Sequence, residues 1–160
     1  MNRKGGSDGS SARRIRRAES RDVEAVRSLL REYSDGLGLD LSFQGFAAEL
    51  ADPLRFYDVV LLAEGGGADD GCAALRRIDD RTCELKRLYV RPSVRGGGLG
   101  RRLAEAAIAE ARRRRYARML LDTLPPMRAA RGLYESLGFR ETEPYRSNPV
   151  PGAAFLELRL

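Results

Sequence analysis

The sequence predicts a mixed α/β fold in a single domain, with a central mixed sheet of about seven strands and flanking helices. Three observations carry that reading. Three segments of strand period follow one another between turn residues in mid-chain, a glycine-rich turn then opens a long helical pattern, and another strand follows that helix. A length of 160 residues suits one domain and leaves no room for a second.

Taken in order, residues 1–12 are polar and Gly/Ser-rich without apolar periodicity, so a disordered basic tail is expected there and the domain proper over 13–160. Residues 13–19 read as a first strand around Ile15. Ser20 is the expected N-cap of a helix that puts Val23, Val26, Leu29, Leu30 and Tyr33 on one face and stops at Gly36. A second helix is expected over 42–51, burying Phe43, Phe46, Ala47 and Leu50 and ended by Pro53. The segments 58–64, 72–78 and 82–90 then make an antiparallel meander, turning at Gly65, Gly66 and Gly67 and at Asp79 and Asp80.

Beyond Gly96, Gly97, Gly98 and Gly100, the spacing of Leu99, Leu103, Ala106, Ala107 and Ala111 marks a helix to about residue 115. Residues 119–124 form the next strand, parallel to 82–90 because a helix connects the two. Pro126 opens a helix with Met127, Ala130, Leu133, Tyr134 and Leu137 inward, closed by Gly138. Gly132 inside it costs about 1 kcal/mol relative to Ala, which suggests a close approach of a neighbouring element or of a ligand. Strands near 140–145 and 156–160 complete the sheet.

Charge and composition exclude several functions. The net charge is +6, but Arg3, Lys4, Arg13, Arg14, Arg16 and Arg17 stand against Asp8 alone in the first 17 residues, so the rest is close to neutral. That distribution argues against nucleic acid as a partner. The longest apolar run, Val59 to Ala63, is too short to cross a membrane. Absence of histidine removes Ser-His-Asp and Cys-His nucleophile systems and every His-ligated metal site, and no metal is expected. Cys72 should face a residue near position 89 in the hairpin, which leaves it roughly 20 Å out of register with Cys83 at about 3.3 Å per residue. Reduced thiols and a cytoplasmic location follow as the expectation.

A strand, a glycine-rich turn and a helix start together form an anion site, because unpaired N–H groups converge where glycines admit a ligand. A phosphate loop of the nucleotide-hydrolase kind would need Lys and Ser/Thr after Gly100, and Arg101 and Arg102 stand there instead. A dinucleotide fingerprint would place its third glycine at Leu103, and three antiparallel strands ahead of it do not build a doubly wound sheet.

The run Arg95-Gly96-Gly97-Gly98-Leu99-Gly100 is an Arg-x-x-Gly-x-Gly pattern placed after a strand. Together with Glu84-Leu85-Lys86-Arg87-Leu88-Tyr89-Val90 before it and Leu133-Tyr134-Glu135-Ser136-Leu137-Gly138-Phe139 further on, it resembles the GCN5-related N-acetyltransferase (GNAT) family. Element order extends the likeness over 13–160. The resemblance implies acetyl-CoA as cosubstrate, with Leu88, Tyr89 and Val90 pairing with the pantetheine arm and Arg95, Gly96, Gly97, Gly98, Leu99, Gly100 and Arg101 wrapping the pyrophosphate. It also implies a bulge near Leu88 and a backbone N–H of Leu88 directed at the thioester carbonyl. Where the family often carries an Asn, seven residues before the Tyr, this chain has Met127.

Acetyl transfer to an amine needs one proton removed from the ammonium and one given to the departing thiolate. By the resemblance, Glu84 is the candidate base, directly or through water, and Tyr134 the candidate acid. A strand glutamate facing solvent or paired with Lys86 or Arg87, and an interior tyrosine, are the structural alternatives. Tyr145, Ser147 and Asn148 could line an acceptor pocket, whereas Asp122 reads as a hydrogen-bonding strand residue and Cys83 as packing. The expected activity is an N-acetyltransferase acting on a primary amine of a small molecule or peptide, with room for a homodimer. The competing readings are a non-catalytic CoA-binding module and a nucleic-acid-binding protein.

Overall fold

The computed structural model describes residues 13–160; the expected tail lies outside the described residues. Seven strands form one sheet in the order β1-β2-β3-β4-β5-β7-β6: β1 (Ile15–Arg17), β2 (Val59–Glu64), β3 (Asp69–Arg77), β4 (Thr82–Val90), β5 (Arg118–Thr123), β6 (Arg140–Glu141) and β7 (Ala154–Arg159). All neighbouring pairs are antiparallel except β4 and β5. That exception follows from the crossover through α4 (Leu99–Arg113), since a helical connection returns the chain in the same direction.

Both faces of the sheet centre are covered, which explains why β2 reads as an unbroken apolar run. Val59, Leu61 and Ala63 pack with Leu103, Ala107 and Ala111 of α4, while Val60 and Leu62 pack with Val26, Leu29 and Leu30 of α1 (Val23–Leu37). Strand alternation sends successive side chains to opposite layers. Burial pushes the thiols of Cys72 and Cys83 up to about 12, and both are free. Cys72 faces Tyr89 across the hairpin, the register expected from the turn position.

Several local expectations are corrected. The first turn before α1 is 3-10 over Ser20–Asp22 and is capped by Glu19, which exchanges side-chain and backbone bonds with Asp22, so Ser20 is not the cap. Asp22 is held down to about 2 chiefly by its hydrogen bond from Arg16. Helix α1 passes Gly36 and ends at Gly38, whose φ of 63° supplies the left-handed stop. The helix expected over 42–51 is divided at Gly45 (φ 71°) into a 3-10 turn and α2 (Phe46–Ala51), and Pro53 opens α3 (Pro53–Phe56) on an Asp52 cap. In α2 the buried residue is Glu49, while Phe46 and Leu50 are half-buried and Ala47 is exposed; the Phe43 side chain lies outside the described residues. The strand expected near 140–145 shortens to β6, because Tyr145 turns inward to a carboxylate instead of extending the ladder.

Candidate active site

Strands β4 and β5 pair only at their starts, Thr82 to Glu84 against Arg118 to Leu120. From Leu85 onward β4 has no partner on that side, and the two strands open into a cleft. A bulge sharpens the divergence. Tyr89 pairs with Cys72 and Lys86 with Ala74, so Arg87 and Leu88 both face Ala73, and Arg87 takes the left-handed φ of 56°. A non-glycine residue holds that conformation only where its surroundings fix it. Here the Arg87 guanidinium donates two hydrogen bonds to the fully buried Glu49 at 2.8 and 2.9 Å and lies 5.2 Å from the Tyr33 ring centre. The polar residue in α2 thus anchors the bulge from outside the sheet.

Past the bulge runs a long groove open to solvent. Of the residues singled out in the sequence, Leu88, Tyr89 and Val90 line one wall, and Arg95, Gly96, Gly98, Leu99, Gly100 and Arg101 line its end, with Gly97 off the lining. The opposite wall is α5 (Arg128–Ser136), through Ala129, Ala130 and Leu133. A second difference from expectation follows: of the apolar residues on that helix only Tyr134 is buried, while Ala129 and Leu133 line the groove and Ala130 both lines it and packs against the core. Gly132 has no atom within 4 Å of where its Cβ would sit, so no protein element approaches it closely.

Gly98 caps α4 at φ 80°, and a Cβ there would meet no protein atom within 4 Å. The space beside the helix start is therefore open while the backbone shape favours glycine. At the mouth Arg95 donates to the Val90 carbonyl at 2.8 Å, and Arg101 is tied to Glu105 at 3.0 Å and Ser136 at 2.9 Å.

Deeper in the cleft a smaller cavity shares Tyr33, Leu88 and Met127 with the groove. Tyr134 lines it and makes no side-chain hydrogen bond among the described residues; burial raises its pKa and keeps the phenol protonated. Glu84 is fully buried and does not line this cavity. Its Oε2 accepts from the Tyr145 hydroxyl at 2.5 Å and from Arg146, while Oε1 has no hydrogen-bond partner and stands 3.9 Å from Lys86 Nζ. The expected Lys86 pairing is thus present but long. Asp122, half-buried on β5, lines the cavity and accepts from Asn148 at 3.1 Å. Tyr145 and Asn148 brace these carboxylates from behind, and Ser147 is exposed. Lys86, Gln44 and Tyr33, which sequence reasoning did not mark for the site, also line the cavity. Burial lowers the Lys86 pKa to about 8 against the upward pull of Glu84. The one signal for Lys86 was its place on the strand that precedes the glycine turn.

A cleft opened by a bulged strand beside a glycine-rich helix start defines an acyl-CoA acyltransferase architecture. The acetyltransferase (GNAT) family profile matches residues 24–139. An uncharacterized N-acetyltransferase of Schizosaccharomyces pombe is 39% identical over 145 residues, spanning 87% of this chain and 89% of that protein. A GNAT-family acetyltransferase of Staphylococcus aureus shares the fold with a TM-score of 0.79 at 19% identity, over 92% of this chain and 99% of the other. YncA of Salmonella typhimurium, solved with its cofactor acetyl-CoA, is 27% identical with a TM-score of 0.68, over 93% of this chain and 94% of its own. The chain belongs to the GNAT family and is an acetyltransferase. Among the described residues no helix is long and apolar enough to cross a membrane.

Proposed function

We propose that the protein moves the acetyl group of acetyl-CoA directly to a primary amine of a small molecule or peptide, without a metal. The observation that supports this best is the meeting of two spaces at Leu88: the groove that ends at Gly98 and the cavity that holds Tyr134. The groove suits the cosubstrate on its own chemistry. Apolar walls at Val90, Ala130 and Leu133 accommodate a long thin arm, and the start of α4 offers unpaired N–H groups and a positive helix end to a pyrophosphate. Leu88, Tyr89 and Val90 would hold the pantetheine, and Arg95 to Arg101 the phosphates.

Acetyl-CoA supplies the thioester that makes the acetyl group transferable. The Leu88 N–H, presented by the bulge, donates to the carbonyl oxygen as negative charge develops there. Tyr134 gives its proton to the departing sulfur as the C–S bond breaks and regains one from the nitrogen, which sheds its second proton as the amide forms. Glu84 receives the proton of the acceptor ammonium through water, since the carboxylate does not line the cavity and Oε1, 3.9 Å from the Lys86 ammonium, accepts no hydrogen bond. Direct transfer also fits the nucleophiles available: Cys72 and Cys83 are buried thiols held protonated by burial, and neither lines either space. A cytoplasmic setting keeps both thiols reduced.

Free-thiol release from acetyl-CoA across a panel of amines, amino acids and peptides tests the reading. Amine-dependent thiol release is expected. Tight acetyl-CoA binding with no product on the panel would replace it with the CoA-binding module.

A further inference from the structure

The Leu88 N–H is one end of a peptide unit whose other end is the Arg87 carbonyl, and a trans peptide points the two in opposite directions. The carbonyl accepts from the Cys72 thiol of β3 at 3.4 Å. The N–H is therefore turned away from β3, toward the side on which β4 and β5 have parted. One residue sets that orientation. Leu85 packs in the α4 layer, and strict alternation would send Arg87 there as well. The bulge instead turns Arg87 to the other layer, where its guanidinium lies 5.2 and 5.5 Å from the centres of the Tyr33 and Phe46 rings.

At a φ of 56° Arg87 is uphill of its ordinary backbone states, so the turn needs a hold from outside the strand. Glu49 supplies it. This carboxylate is 0% exposed, and each of its oxygens accepts one hydrogen bond from Arg87, at 2.8 and 2.9 Å. Two parallel bonds fix direction as well as distance. Desolvation offsets much of the attraction in a buried pair, so stability alone is a weak reason for this one. Nor does α2 contribute a residue to the groove or to the inner cavity, which leaves Arg87 as the route by which Glu49 acts on the site. We propose that Glu49 and Arg87 are a positioning pair for acetyl transfer, holding the Arg87–Leu88 peptide so that the Leu88 N–H meets the thioester carbonyl. This assignment rests on the acetyl-transfer reading above.

The test reads the carbonyl directly. The full chain is loaded with acetyl-CoA isotopically labelled at the acetyl carbonyl, and the infrared stretch of the bound thioester is compared with that in Glu49→Leu/Arg87→Met. The double variant removes both charges together and strands neither in the interior. Loss of the donor should raise the stretching frequency. On the best amine of the panel kcat should fall about tenfold or more, with the acetyl-CoA Kd changed less than about threefold. Asp22→Asn is the control, since it weakens the Arg16–Asp22 pair at the edge strand β1 and should leave both the stretch and kcat unchanged.

An unmoved stretch, or a kcat within about twofold of wild type in the folded double variant, overturns the proposal. So does a control that loses as much kcat as the double variant. If the double variant does not fold, Arg87→Lys decides, because it keeps the charge and gives up the two-point hold. The same changes at smaller size are expected of it, and wild-type values overturn the proposal. A wild-type protein without an acetyl-CoA-induced thermal shift would instead overturn the transfer reading, which separates the two failures.

Discussion

The outer groove and the inner cavity share three residues and are built on opposite principles. The groove is walled by backbone and by apolar side chains, most of them from the single stretch between Leu88 and Arg101. The cavity sets polar and charged side chains drawn from separate places, Gln44 after α1, Lys86 and Arg87 on β4, Asp122 on β5 and Tyr134 on α5, among the apolar Leu85, Leu88, Leu124 and Met127. A space shaped by main chain recognises a part common to many ligands and is damaged by added bulk. A space shaped by buried charges discriminates between ligands and is damaged by changes of charge.

That contrast predicts different failures. Gly98→Val adds a branched Cβ to the open side of the groove and should abolish the acetyl-CoA-induced thermal shift, in a protein that still folds. An unchanged shift in the folded variant would show that the helix start is not where the cosubstrate sits. Glu49→Gln tests the charged side. Breaking its buried pair with Arg87 should cost about 3 kcal/mol of stability, read from the urea midpoint, because one charge is left behind in the interior. A loss below about 1 kcal/mol, the range of exposed pairs, would remove the anchor assigned to the bulge.

Within the cavity the two proton roles should separate. Tyr134→Phe should slow turnover by about 10²-fold with acetyl-CoA affinity little changed, and an acyl donor with a more acidic leaving thiol should restore part of the rate. The smaller effect is expected of Glu84→Gln, concentrated near neutral pH and fading at high pH, where the free amine forms unaided. Loss of activity in both variants solely through weaker substrate binding would leave proximity as the source of the rate.

The groove was legible in the sequence because its parts are neighbours along the chain: Arg95 to Gly100 announce themselves by spacing directly after a strand. Nine of the ten residues proposed for cosubstrate binding line that one space. The cavity was much less legible. Tyr134 carried a motif, but Lys86 and Glu49 become site residues only through tertiary packing that brings α2, β4 and β5 together. Charges on both faces of β4 did signal irregular alternation, and the bulge at Arg87 and Leu88 is its cause. The short α2 was misread in its inward face because helical spacing ranked apolar residues above Glu49, whose burial is made tolerable by the bidentate Arg87.

Direct transfer in a complex of both substrates is the central claim, and following a labelled acetyl group tests it most directly. With acetyl-labelled acetyl-CoA and a competent amine, the account predicts that the label passes into the N-acetyl product with matching thiol release and that initial-rate lines intersect. No label should reside on the protein, since Cys72 and Cys83 are buried and held protonated. Stoichiometric labelling of the protein before the amine is added, with parallel initial-rate lines, would contradict it.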